Sequence, residues 1–380
     1  MSEKKEKKSD NETVLLVGGG TGGHVVPVYN IYRFLINTKP EIPVAVIGSG
    51  SKIEKPFFGG LPNYFVLTSG KFQGYDILVN LWQSILFCAG FVQALVYLNR
   101  IRPKIIFAKG GYVTVPIIIW ARILHIPYFV HESDIVMGRA NRFAATGARK
   151  VFVGFPVKNY PGLKKKKIEF CGQLITGADK FDKKERFDFG FPNENPVIFV
   201  TGGSLGAVNI NKSVFGTLTL LLLKYNIIHQ TGAKGFAEAI NVRAALPESM
   251  KRSYFIADFL SAIDGDNKIL SAIELADLII ARAGATTVAE IARSGKPMIL
   301  IPYPHAAGDH QVKNAQILEQ SGVCMMIYDR DLTPRLLIEK VDKLFDDKEK
   351  MREMARVAKN FFPSGAIDKI GKEIISEVSK

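Results

Sequence analysis

The chain has only three cysteines in 380 residues. Cys88, Cys171 and Cys324 lie far apart and form no CxxC pair, which excludes a disulfide framework and a cysteine-based zinc site and points to a reducing compartment. The opening stretch lacks apolar residues: Met1 to Lys8 alternates charges, so it reads as a solvated tail and not as a secretory signal. No helix-turn-helix, zinc-finger or RNA-recognition signature is present, and the basic residues are not interleaved with aromatics, which argues against nucleic acid as a partner. An unbroken apolar run of about 20 residues, the length of a spanning helix, is also missing. The longest candidate, Ile77 to Val92, is flanked by Asp76 and Gln93 and interrupted by Asn80 and Gln83. Three readings of it stay open, with a buried core helix favoured over a lipid-facing helix and a spanning one.

What is present is a positive excess. The formal charge of +14 calls for an anionic partner such as a phosphorylated substrate or acidic lipid headgroups. The run Lys164 to Lys167 suits headgroups, and equally suits a solvated interdomain loop. With 47% hydrophobic and 23% charged residues, the chain has enough apolar sequence for two domains with real cores.

Short apolar segments alternate with helical ones, which predicts parallel, doubly wound α/β sheets. In the first half the strands are 14–17, 44–47, 64–67, 105–108, 128–130 and 150–153; in the second, 197–200, 227–230, 254–257, 278–281, 298–301 and 324–327. The stretch from Gly154 through Gly162 and the lysine run reads as the linker. The expected division is a tail over 1–12, a first domain over 13–162 and a second over 163–362, followed by a last helix over 363–380.

Two glycine-rich turns sit about half a chain apart, each where a strand hands over to a helix: Gly18 to His24 and Gly202 to Gly206. Such turns bring backbone N–H groups at a helix N-terminus close to phosphate, so the pair suggests two nucleotide-fold domains facing one cleft. Gly18, Gly20 and Gly23 match the GxGxxG spacing of dinucleotide folds, but the second strand ends Ile47-Gly48-Ser49 with no carboxylate until Glu54. An NAD-dependent oxidoreductase, which wants an acidic residue there for the ribose, becomes a distant alternative. His24 adds a proton acceptor that titrates near neutral pH, with a packing or capping histidine as the other reading.

Several strings together resemble the MurG family of peptidoglycan glycosyltransferases: GGTGGH from Gly19 with Pro27, KGGYVTVP from Lys109, HES from His131 followed by Ala140-Asn141-Arg142, GGSLGAVNIN from Gly202, HQTG from His229, RAGATTVAE from Arg282 and DHQVKNA from Asp309. The resemblance runs in family order from about residue 14 to 330. It implies the GT-B architecture, two Rossmann-like domains, the first for a lipid-linked acceptor and the second for a UDP-sugar donor. It also implies that the last helix crosses back to the first domain.

The implied reaction is an inverting transfer of N-acetylglucosamine from UDP-GlcNAc to the 4-hydroxyl of undecaprenyl-linked muramyl-pentapeptide, at the cytoplasmic face of the membrane, on an anionic surface and with no cofactor. By resemblance His24 is the base and Glu132 its helper. Donor contacts fall to Thr21, Gly22, Gly23 and Asp134 in the first half and to Gly203, Ser204, Leu205, Gly206 and Leu260 in the second. Ala285, Thr286, Glu290, His310 and Gln311 complete the donor set, Glu290 on the ribose hydroxyls and Gln311 on the sugar. Acceptor contacts fall to Gly19, Gly20, Lys109, Gly110, Gly111, Tyr112 and Asn141.

Four departures from the family pattern stand out: Ser133-Asp134 where Gln-Asn is usual, Gln173 to Thr176 without the expected arginine, Leu260 for Ile, and Ala283 for Ser. Asp264-Gly265-Asp266 matches the DxD string of metal-dependent transferases, but in this context no metal is implied. A GT-B relative acting on another glycolipid, a UDP-GlcNAc 2-epimerase and a non-catalytic membrane-recruiting subunit remain alternatives.

Overall fold

The computed structural model describes residues 12–70, 77–163, 165–175, 187–203, 206–260 and 268–380. The tail up to residue 11, Lys164, Ser204, Leu205 and the segment with Asp264 and Asp266 lie outside the described residues. The chain forms two compact units, one running through Ile175 and resuming at Ser364–Lys380, the other spanning Thr176–Pro363.

The first unit is built on a seven-stranded sheet in the order β3-β2-β1-β4-β5-β6-β7, every neighbouring pair parallel. Its strands are β1 (Val14–Gly18), β2 (Val44–Gly48), β3 (Tyr64–Val66), β4 (Ile105–Gly110), β5 (Tyr128–Glu132), β6 (Lys150–Val153) and β7 (Ile168–Phe170). Strands buried on both faces must be apolar nearly throughout, and Val14 to Val17 and Ile105 to Ala108 are each fully buried. The β1–β4 register slips by one at the carboxyl end, Val17 pairing with Ala108 but Gly18 with Gly110. The extra residue is Lys109, so a bulge re-aims the chain just where the first glycine turn begins.

The unit's helices are α1 (Gly22–Thr38), the short α2 (Lys55–Phe58), α3 (Ile77–Ile101), α4 (Thr114–Ile123), α5 (Arg139–Gly147) and the last helix of the chain, α14 (Ala366–Val378). Ala366, Ile370, Ile374 and Val378 join the core formed by β1, β2 and α1. Gly371 lets α14 approach the Phe34 ring of α1, which a Cβ there would overlap. The ion pairs Lys150–Glu373 (2.6 Å) and Arg149–Glu377 (2.8 Å) tie the same helix to the β6 edge. The boundary falls at Ile175 and not at 162, because Ile168-Glu169-Phe170 adds a seventh strand beside β6.

The favoured reading of α3 as a buried core helix is overturned. Ala94 and Leu98 face the core, but Leu81, Trp82, Ile85, Val92 and Val96 are each more than half exposed. One face is fixed by Trp120 of α4, whose indole N–H donates to the Phe91 carbonyl at 2.8 Å. Among the described residues α3 is the one helix long and apolar enough to cross a membrane, by length and composition alone.

The second unit repeats the plan with six parallel strands in the order β10-β9-β8-β11-β12-β13. These are β8 (Val197–Thr201), β9 (Asn226–Gln230), β10 (Tyr254–Ala257), β11 (Leu278–Ala281), β12 (Met298–Leu300) and β13 (Met325–Met326). Helix α6 (Val208–Leu222) follows β8, α7 (Ala233–Ala244) and α8 (Glu248–Lys251) follow β9, α9 (Lys268–Leu275) precedes β11, α10 (Ala285–Arg293) follows β11 and α11 (His310–Gln320) follows β12. Helix α12 (Pro334–Asp346) packs on α6, and α13 (Lys348–Phe361) packs on α10. Both sheets share the 3-2-1-4-5-6 winding of nucleotide-binding folds, in which ligands sit beyond the carboxyl ends of the strands.

Candidate active site

In the first unit the turn after β1 leads into α1, with Thr21 in extended conformation at the N-cap. The first turn of α1 holds no acidic residue, and the positive end of its dipole favours an anion. A Cβ at Gly22 would meet nothing within 4 Å. His24 is partly exposed, and its Nδ1 lies 3.2 Å from the Gly19 carbonyl and 3.1 Å from the Thr21 hydroxyl.

The loop after β4 closes on this turn. Gly110 and Gly111 both have positive φ, +117° and +88°, which only glycine adopts without strain. A Cβ on Gly111 would stand 2.8 Å from the Gly19 carbonyl and 3.5 Å from His24 Nδ1. Tyr112 covers Gly20 from the other side, its ring 3.1 Å from where a Cβ would be.

Glu132, Lys109 and Asn141 are placed differently from the expectation. Glu132 is 5% exposed, and its carboxylate accepts from the amides of Asp134 (3.0 Å) and Gly138 (2.9 Å) and from Asn141 Nδ2 (3.0 Å). Both oxygens are thus spent at the N-terminus of α5, and the helper role gives way to a holding one. Asn141 is buried and also donates to the carbonyls of Lys109 (3.3 Å) and His131 (3.2 Å), so its Nδ2 braces the loops. Lys109 is 1% exposed. Burial lowers its ammonium pKa against the pull of Glu132 and Asp134, and burial together with Asp134 raises the Glu132 carboxyl, with Lys109 opposing. His131 is buried too, held well below its ordinary range by burial and by Lys109, with Nε2 3.0 Å from the Gly172 carbonyl. Asp134 is partly exposed, and its carbonyl accepts from Tyr160 at 3.0 Å.

In the second unit the described part of the glycine turn has positive φ at Gly203 (+77°) and Gly206 (+75°). Gly203 opens on space, whereas a Cβ on Gly206 would strike the Thr231 carbonyl. The Gly206 amide donates to the Gly203 carbonyl at 3.0 Å. The sequence expectations for Ser204 and Leu205 fall on residues outside the described set. Gln230 at the end of β9, given no role from sequence, donates to the Gly203 carbonyl (3.2 Å) and accepts from the buried Leu260 amide (3.2 Å).

Helix α10 begins at Ala285 behind Gly284, whose Cβ side is open, and carries Thr286 and Glu290. Burial raises the Glu290 carboxyl to about 7, so it changes charge near neutrality. Beyond β12, Gln311 accepts from the Tyr303 amide at 3.0 Å and His310 Nδ1 lies 2.9 Å from the Ala307 carbonyl. Asp309 before them takes a left-handed conformation, φ +55°. Arg282 holds this loop, its guanidinium donating to Asp329 (2.5 Å) and to the carbonyls of Ile301 (3.0 Å) and Pro302 (3.3 Å). The Arg282 and Asp329 roles were not assigned from sequence, because they depend on a contact between residues 47 positions apart.

Two Rossmann-like units, each with a glycine turn beyond its parallel strands, make up the GT-B architecture. The N-terminal domain model of glycosyltransferase family 28 matches residues 14–153, and the C-terminal domain model of the same family matches 197–369. The chain belongs to glycosyltransferase family 28. It is 33% identical over 347 residues to a Bacillus cereus protein named UDP-N-acetylglucosamine–N-acetylmuramyl-(pentapeptide) pyrophosphoryl-undecaprenol N-acetylglucosamine transferase 2, covering 89% of this chain and 93% of that one. A Clostridium kluyveri transferase of the same name without the numeral is 33% identical over 339 residues, covering 87% and 90%. The crystal structure of Acinetobacter baumannii MurG superposes with a TM-score of 0.74 at 23% identity, covering 96% of this chain and 99% of that one.

Proposed function

We propose that this enzyme transfers N-acetylglucosamine from UDP-GlcNAc to the 4-hydroxyl of undecaprenyl-pyrophosphoryl-muramyl-pentapeptide. The reading is carried by His24, a partly exposed imidazole at an anion-accepting helix N-terminus, in a family whose named relatives carry out this transfer. His24 takes the proton of the attacking hydroxyl. The amides of Gly22 and Gly23 and of the Gly110–Tyr112 segment receive the acceptor's pyrophosphate. On the donor side, the Gly203–Gly206 turn and the N-terminus of α6 bind the UDP diphosphate and stabilise the charge that develops on it as the bond to the anomeric carbon breaks. Glu290 accepts from the ribose hydroxyls and Gln311 contacts the sugar.

The enzyme works peripherally at the cytoplasmic membrane surface. The exposed apolar side chains of α3 and the formal charge of +14 support this, since apolar contact combined with attraction to anionic lipid is what holds a surface-bound helix.

Incubation of the purified chain with labelled UDP-GlcNAc and the lipid-linked muramyl-pentapeptide tests the reading: label enters the lipid fraction, and His24→Ala reduces turnover about a hundredfold with donor affinity kept. Donor consumed without acceptor, or label entering diacylglycerol instead, overturns it in favour of an epimerase or another glycolipid transferase.

A further inference from the structure

Glu54 is fully buried, and its carboxylate reaches into the first glycine turn. Oε1 accepts from the Gly20 amide (2.8 Å) and from the hydroxyls of Ser49 (2.5 Å) and Ser51 (3.0 Å); Oε2 accepts from the Gly50 amide (2.9 Å) and the Tyr64 hydroxyl (2.6 Å). All five donors are uncharged. Burial opposes ionisation, but these hydrogen bonds outweigh it and keep the carboxyl below its ordinary range. Gly48 and Gly19 are glycines for the same reason, since a Cβ on Gly19 would stand 2.6 Å from Glu54 Oε1 and one on Gly48 closer still.

The Gly20 N–H that Glu54 holds and the Gly19 C=O beside His24 are the two ends of one peptide unit. A peptide is planar, so fixing its N–H fixes its carbonyl. A negative charge on the N–H also polarises the carbonyl into a stronger acceptor. That carbonyl is 3.2 Å from His24 Nδ1; a carbonyl can only accept, so this contact favours the Nδ1–H tautomer, in which the Thr21 hydroxyl 3.1 Å away accepts as well and Nε2 is the basic nitrogen.

We propose that Glu54 is a positioning residue that acts on His24 through the Gly19–Gly20 peptide, holding the imidazole in the Nδ1–H tautomer and so making Nε2 its basic nitrogen. The part of the proposal that concerns turnover rests on the reading of His24 as the base. The tautomer does not. This role is distinct from the ribose contact that a carboxylate after the second strand makes in dinucleotide enzymes, because Glu54 spends both oxygens inside the protein.

Two measurements on the full chain test it. Long-range ¹H–¹⁵N correlation of the His24 ring in Glu54→Gln should show loss of the Nδ1–H tautomer present in the parent; an unchanged ring overturns the relay. In saturating steady state, Glu54→Gln should lower kcat about tenfold or more with the donor KM within about threefold, yet cost under threefold further in the His24→Ala background. An equal kcat loss in both backgrounds overturns action through His24. Tyr64→Phe controls for stability, since it removes one donor to Glu54 but leaves the Gly20 bond, and it should keep the tautomer and turnover; tautomer loss there as well would mark a general loosening and overturn the specific relay. If His24→Ala alone leaves turnover unchanged, the base reading fails, and the ring spectrum still decides on Glu54.

Discussion

Gln230 ties the end of β9 to Gly203, its side-chain amide donating to the Gly203 carbonyl at 3.2 Å while its oxygen accepts from the Leu260 amide at the same distance. One side chain therefore sets the spacing between the glycine turn and the loop after β10. Gln230→Leu leaves both backbone groups without this partner, at about 1–3 kcal/mol for a buried orphan. UDP affinity, measured by calorimetry, should fall about 3- to 30-fold, and the urea midpoint should fall with it.

Glu290 supplies a pH signature. Its folded value is about 7 against an ordinary 4.5, so between those values the folded chain holds a proton that the unfolded chain has lost. Its contribution to stability is therefore full below 4.5 and disappears as pH rises through 7. On the proposed ribose contact, donor binding runs the other way, because the hydroxyls donate best to the ionised form. Donor KM should fall as pH rises through neutrality. Glu290→Gln should raise KM about tenfold, consistent with the loss of a hydrogen bond to a charged group, and flatten both profiles, read by kinetics and by urea unfolding.

Gly371 is where α14 meets α1. Gly371→Ala drives a methyl into the Phe34 ring, and overpacking of this kind costs about 1–3 kcal/mol. The thermal midpoint should drop by several degrees, while UDP affinity, assigned under the proposed function mainly to the second unit, should stay within about twofold.

The exposed face of α3 predicts a separation of binding from chemistry. Replacing Leu81, Trp82 and Ile85 by glutamate should abolish co-sedimentation with anionic vesicles and leave turnover on a water-soluble acceptor within about twofold, since these side chains contribute little to the core.

The strands were legible because parallel strands buried on both faces are continuous apolar runs, and Val14 to Val17 or Leu278 to Ala281 admit no other reading. Ile168-Glu169-Phe170 was not, since a three-residue strand after a lysine run is defined only by β6 beside it. Helix α3 is apolar around much of its circumference, so its pattern indicated a helix without saying which face was buried. The glycine turns announced their chemistry through spacing. Glu54 and Gln230 did not, because they reach those turns from 34 and 27 residues away, and the burial of Glu132 depends on its bonds to Gly138 and Asn141 at the start of α5.

Helix α14 gives the chain an unusual order of assembly. The second unit is one uninterrupted stretch, Thr176–Pro363, whereas the first is completed only by Ser364–Lys380. During synthesis, domains ordinarily mature from the amino end onward. Here the residues that seal the core around α1 are made only after the whole of Thr176–Pro363, so the second unit is free to fold first while the first waits for Ser364–Lys380.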